Sequence, residues 1–212
     1  YKDIIVGAMF ADLSGRGDAG KTYVIYGNSS LANVDLLNLN LTPLQGIIIS
    51  GAATNDQSGY SVSSGDINND GFDDIIIGAY IANPLSRTDA GVVYVIYGGS
   101  SLNNIDLLTL SPEQGIMISG EAGGDQAGNS VSSGDINNDG FCDIILGARY
   151  ADPNSRSDAG TVYVIYGSNS LTNIDLLSLN QSQGIVIYGD YTGDHVGIAV
   201  SNGDINNDSF KV

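Results

Sequence analysis

Nine consecutive residues hold the densest chemistry in this chain: Asp66-Ile67-Asn68-Asn69-Asp70-Gly71-Phe72-Asp73-Asp74. Side-chain oxygens fall at loop positions 1, 3, 5 and 9, and glycine sits at 6. Short carboxylates and amides at alternate positions can converge on one ion, and the glycine permits the positive-φ turn that wraps the chain around it. Position 7, Phe72, can offer its backbone carbonyl while its ring packs underneath. A second copy supplies Asp135, Asn137, Asp139, Phe141 and Asp143. A third keeps Asp204, Asn206, Asp208 and Phe210, but has Ser209 for the glycine and Val212 at position 9. Hard oxygen donors in this number suit Ca²⁺, and a chain with one His and one Cys offers nothing for a zinc cluster. Position 12 is Ile77 or Leu146, so these loops are no EF-hands, which close with Glu there. Asp74 and Asp143 must close them instead. The competing reading is an Asn/Asp-rich turn without metal. Three clustered carboxylates per complete loop, which repel when empty, favour calcium.

The elements that position these loops repeat with them. Gly-Asp-Ile-Asn-Asn-Asp begins at Gly65, Gly134 and Gly203, 69 residues apart each time. Tyr-Val-Ile-Tyr-Gly begins at Tyr23, Tyr94 and Tyr163. The units from Asp74 and Asp143 match at roughly 60% of positions, so the chain divides into repeats of about 3–73, 74–142 and 143–212. Each unit predicts four short strands. One such set is Ser58–Gly65, Ile75–Ala79 (an isoleucine run suited to burial on both faces), Val92–Tyr97 and Gly115–Ser119, its first strand preceding the unit boundary at 74. The connector 98–114 holds Ser111-Pro112, which predicts one helical turn. Four strands per unit, with no helix of core length, predict an all-β fold: a β-propeller of four-stranded blades. The chain carries twelve strands, three blades' worth once its first and last strands are joined.

Charge narrows the partners. Seven Lys and Arg face 24 Asp and Glu, for a net charge of −17. Phosphate affinity comes from cations, so nucleic acid is excluded. Apolar runs are far too short for a membrane-spanning helix. No leader is visible at Tyr1, which suits a cytosolic chain, a processed one or a fragment.

The stretch 65–79, Gly-Asp-Ile-Asn-Asn-Asp-Gly-Phe-Asp-Asp-Ile-Ile-Ile-Gly-Ala, resembles an FG-GAP repeat, and 89–98 fits the same pattern. Such repeats build the seven-bladed head of integrin α subunits and many bacterial secreted or surface proteins. The resemblance implies calcium between the first two strands of a blade, held by Asp66, Asn68, Asp70 and Asp74 and by Asp135, Asn137, Asp139 and Asp143. It also implies a secreted or cell-surface location. The Phe-Gly pair is Ser58-Gly59, Ala127-Gly128 and Val196-Gly197 here, and the Pro after Gly-Ala is replaced.

Tyr1-Lys2-Asp3 aligns with Phe72-Asp73-Asp74. Three blades are too few to close a ring. Two readings follow: head-to-tail pairing of two chains into six blades, with Asp3 of one chain completing the Asp204 loop of the other, or a fragment of a longer propeller. Arg16-Gly17-Asp18 recurs as Arg87-Thr88-Asp89 and Arg156-Ser157-Asp158, which points to a local ion pair rather than an adhesive ligand. His195 reads as a polar turn residue and Cys142 as solvent-facing. Asp56, Asp125 and Asp194 read as loop caps or, alternatively, as lining one propeller face, and Asp35, Asp106 and Asp175 as caps of the connector turn. The expected function is a non-enzymatic calcium-binding module for adhesion to protein or glycan. The alternative is a propeller hydrolase or lyase, or the non-catalytic propeller appendage of a secreted enzyme.

Overall fold

The structure, a computed structural model, describes residues 1–30, 32–36 and 45–206. Val, Ile and Tyr clusters form short strands wherever Gly, Asn and Asp stop them. The first sheet contains β1 (Ile4–Ala8), β2 (Lys21–Ile25) and β3 (Gly46–Ser50). The second is built from β4 (Ser61–Gly65), β5 (Asp74–Ala79) and β6 (Val92–Ile96). A two-residue strand, β7 (Ile105–Asp106), precedes the outer strand of that sheet, β8 (Gly115–Ser119). The third sheet repeats the plan with β9 (Ala127–Gly134), β10 (Asp143–Ala148), β11 (Thr161–Ile165) and β13 (Gly184–Tyr188), and the short β12 (Ile174–Asp175) precedes β13 in sequence. The longer strands of each sheet run antiparallel to their neighbours, from an inner strand outwards. This is β-propeller architecture: four-stranded blades packed face to face. Among the described residues there is no α-helix.

The short strands depart from the expected twelve. β7 leaves its own blade and pairs parallel with β3, and β12 does the same on β8. The stretch from Val196 to Gly203, expected as a first strand, forms only a bridge between Val196 and Gly160. β4 and β9 gain their ladders from β5 and β10, and this stretch has no second strand after it among the described residues. The connector turn at Ser111 forms, with Gln114 N–H donating to the Ser111 carbonyl. A further 3₁₀ turn, Leu107–Thr109, precedes it.

Burial explains the isoleucine run. Every residue of β5 and of β10 is buried. Ile75 and Ile77 join a cluster with Val24, Ile47 and Ile49 of the first blade. Ile76 points the other way, into a cluster with Ile144, Leu146 and Tyr163 of the third. Gly78 explains how close the blades come: a Cβ there would lie 2.1 Å from the Gly128 carbonyl oxygen of the next blade.

Arg16 and Arg87 correct the expectation of a local ion pair. Arg16 holds both carboxylate oxygens of Asp106, at 2.7 and 2.6 Å, and Arg87 holds those of Asp175, at 2.7 and 2.5 Å. Each pair joins one blade to the next. Asp106 and Asp175 also cap their turns as expected, accepting from the N–H of Leu108 and Leu177.

Candidate metal centre

The acidic loops join β4 to β5 and β9 to β10, at the end of the blade where β5 and β10 begin. Both adopt one geometry. Asp66 accepts N–H bonds from Asp70 (3.0 Å) and Gly71 (2.9 Å). Asn68 Oδ1 accepts from Asp70 N–H, and Asp70 Oδ1 accepts from Phe72 N–H, each at 2.9 Å. Asp74 bridges outward, accepting from Ile67 N–H at 2.9 Å and from Gly98 N–H at 2.7 Å. Asp135, Asn137, Asp139 and Asp143 reproduce all of these bonds, with Gly140, Phe141, Ile136 and Gly167 as the other donors. Gly71 and Gly140 both take φ near +92°, as position 6 requires. Asn69 and Asn138 are also left-handed, a role that Asn tolerates better than most residues.

Asp74 and Asp143 are fully buried. Burial pushes the Asp74 carboxyl up to about 6, against the hydrogen bonds from Gly98 and Ile67, and Asp70 and Asp66 add to the rise. Burial raises Asp143 in the same way, opposed by Gly167 and Ile136. A nearby cation reverses this balance by favouring the charged form.

The donor types of the loops suit a hard cation. Each complete loop brings Asp66, Asn68, Asp70 and Asp74, or their counterparts, onto one turn, all oxygen donors. Among the described residues, however, no three carboxylate, His or Cys groups stand together as a ready-made cage. The side-chain oxygens here wind the loop by accepting backbone N–H groups. A carboxylate oxygen keeps a second lone pair in such a bond, so the donor types fit.

The remaining expected site residues fall as follows. Asp3 takes the Asp74 position in the first blade, accepting from Gly27 N–H at 2.8 Å. Asp204 and Asn206 lie on an exposed bend. Asp208 and Phe210 lie outside the described residues. The ring of Phe72 does not pack underneath its loop: the residue is 44% exposed, and the fully buried Ile67 fills the inside. Cys142 is not solvent-facing either. It packs against the core between the second and third blades, its N–H donates to the Asp66 carbonyl, and burial raises its thiol pKa. Asp56, Asp125 and Asp194 cap turns, accepting from the N–H of Ala53, Ala122 and Tyr191.

One grouping escaped sequence reasoning. Beyond the far end of β5, the Tyr60 and Tyr80 rings meet at a tilt of 38°, their centroids 4.2 Å apart. Arg149 lies over Tyr150 and Tyr80, and His195 meets Tyr150 edge-on. The signal was present in Tyr80 and Arg149, which share one repeat position after Gly-Ala, but spacing alone does not show that neighbouring blades bring them together.

The FG-GAP repeat family model matches residues 58–96 and 127–165. Each match covers the first three strands of one blade and the acidic loop between the first two. Phosphatidylinositol-glycan-specific phospholipase D of Bos taurus is 31% identical over 152 residues, 71% of this chain and 17% of that protein. Integrin alpha-5 of Xenopus laevis is 32% identical over 178 residues, 79% of this chain and 16% of that one. Integrin alpha-PS2 of Drosophila melanogaster is 32% identical over 124 residues, 57% of this chain and 8% of that one. The chain thus spans under a fifth of the length of these relatives. No helix among the described residues is long and apolar enough to cross a membrane. With both family matches falling on the acidic loop and the first three strands of a blade, this chain carries two FG-GAP repeats and is similar in sequence to integrin alpha subunits.

Proposed function

We propose that this chain is a calcium-stabilised propeller module for binding or adhesion, working outside the cell or at its surface. The reading rests on the two complete loops, which repeat one backbone turn whose N–H groups are accepted by three acids and an amide each. Asp66, Asn68, Asp70 and Asp74 would hold one ion with the Phe72 carbonyl, and Asp135, Asn137, Asp139 and Asp143 another with that of Phe141. The ion would supply positive charge where a chain of net charge −17 gathers its acids. Millimolar external calcium fills sites of modest affinity. Tyr60, exposed, with the half-buried Tyr80 and Tyr150 beside it, offers an aromatic surface to a protein or glycan ligand.

Thermal melting in calcium and in chelator tests this. Calcium at 100 times its Kd adds about 2.7 kcal/mol per site. Asp70→Ala together with Asp139→Ala should abolish that gain. A melting temperature indifferent to calcium rejects the proposal. The phospholipase D likeness favours a second reading, a non-catalytic propeller appendage of a secreted enzyme.

A further inference from the structure

Two contacts between neighbouring blades occupy equivalent positions and differ by one side chain. Tyr163 of β11 packs towards the second blade, and its hydroxyl donates to the Glu121 carboxylate at 2.5 Å. One repeat earlier, Tyr94 of β6 packs towards the first blade in the same way, and Ala52 stands where Glu121 stands. The backbone around the two positions is alike. Arg16 donates to the Gly51 and Ala52 carbonyls as Arg87 does to those of Gly120 and Glu121. Asp56 caps the turn at Ala53 as Asp125 caps it at Ala122. What differs is the carboxylate.

A cavity of about 310 Å³ opens where that carboxylate would lie, a volume at the small end of ligand sites. Ala52 and Tyr94 line it together with Leu107, Leu110, Pro112 and Met117. Tyr94 is 4% exposed, and among the described residues its hydroxyl has no hydrogen-bond partner. Burial, with Asp56 adding to it, raises the pKa of this hydroxyl and keeps it a donor. A buried donor without an acceptor is costly, and one that faces an apolar cavity calls for an acceptor from outside.

We propose that this cavity binds a short aliphatic monocarboxylate, whose carboxylate accepts from the Tyr94 hydroxyl as Glu121 accepts from Tyr163, and whose chain lies against Leu107, Leu110 and Met117. The fold already uses this chemistry one blade further on, since the Glu121 side chain is a short alkyl stem ending in a carboxylate. The charges around the two seats match. Asp125 acts on Tyr163 as Asp56 acts on Tyr94, so a neighbouring acid does not exclude the carboxylate. Arg87 feels the charge of Glu121 in addition to that of Asp175, and Arg16 holds the same place beside Ala52. Apolar walls with one oriented donor are the usual build of a small-molecule site. No residue of the acidic loops lines the cavity, so the site stands apart from the calcium reading.

Isothermal titration calorimetry with sodium hexanoate tests it, in calcium and with 1-hexanol as the uncharged control. Hexanoate should bind saturably, one per chain, with a Kd of about 1 mM or tighter for so small a ligand. Hexanol should bind about tenfold more weakly, because a hydrogen bond to a charged acceptor is the stronger one. Tyr94→Phe keeps the ring, removes the donor, and should weaken hexanoate about tenfold while leaving hexanol unchanged. Ala52→Glu supplies the carboxylate from the chain itself and should abolish hexanoate binding, with circular dichroism unchanged. Hexanol binding as tightly as hexanoate would reduce the site to an apolar crevice and overturn the inference. Hexanoate binding that survives both substitutions overturns it too, as does a wild type that shows no saturable binding up to about 10 mM.

Discussion

Replacing Arg87 by methionine keeps the apolar stem and removes the charged fork that ties the second blade to the third. Arg87 donates to both oxygens of Asp175 and to the carbonyls of Gly120 and Glu121. The side chains of the pair are 18% and 30% exposed. Breaking a fully buried pair costs about 3–5 kcal/mol, because a buried charge is left behind. An exposed pair contributes about 1 kcal/mol or less. At this intermediate exposure water reaches Asp175 in part, and the expected loss is about 2–3 kcal/mol. For a chain of this size that lowers the melting temperature by about 5–10 °C. The bond to Arg87 lowers the Asp175 pKa. A depressed carboxylate pKa adds stability above the unfolded value, near 4, which disappears as pH falls through the folded value. The deficit of Arg87→Met should therefore be full at pH 7 and shrink below pH about 4. Urea denaturation of wild type, Arg87→Met, Asp175→Asn and the double variant gives the coupling energy directly. A coupling below about 0.5 kcal/mol would show that the fork is ornamental and that apolar packing alone holds the blades.

Other consequences concern a glycine and a buried acid. Gly78→Ala should leave little folded protein in a solubility and circular dichroism assay. The added Cβ would meet the Gly128 carbonyl at 2.1 Å and Ser61 Oγ at 2.2 Å, and overpacking costs about 1–3 kcal/mol, more where backbone has to shift as it does here. Asp125 has its pKa pushed up to about 6, first by burial, with Glu121 and Asp152 adding to it and the Ala122 N–H opposing. A raised carboxylate pKa means that charging it opposes folding: the penalty is absent below pH about 4, grows through pH 6 and is complete above. Asp125→Asn keeps the acceptor for Ala122 and should gain about 2 kcal/mol at pH 8 and nothing at pH 4. Equal melting shifts at both values would contradict the assignment.

What the sequence determined by itself was everything governed by short range and by repetition. Period-two and continuous apolar runs located β5, β6, β8 and their counterparts, because a strand must bury one face or both. Oxygen spacing and Gly71 located the loops, because side chains two and four residues apart share one turn. Asp106 and Asp175 were legible as caps, since a cap bonds within two residues. Tertiary structure alone decided what crosses between blades. Arg16 was legible as a residue with a partner, but not that the partner is Asp106, 90 positions away. The exposure of Phe72, the partial burial of Cys142 and the meeting of Tyr80 with Arg149 likewise depend on which blade lies alongside. A repeat fixes what each unit is made of, whereas the contacts between units arise from the packing of one sheet on the next, and pair residues that no local pattern links.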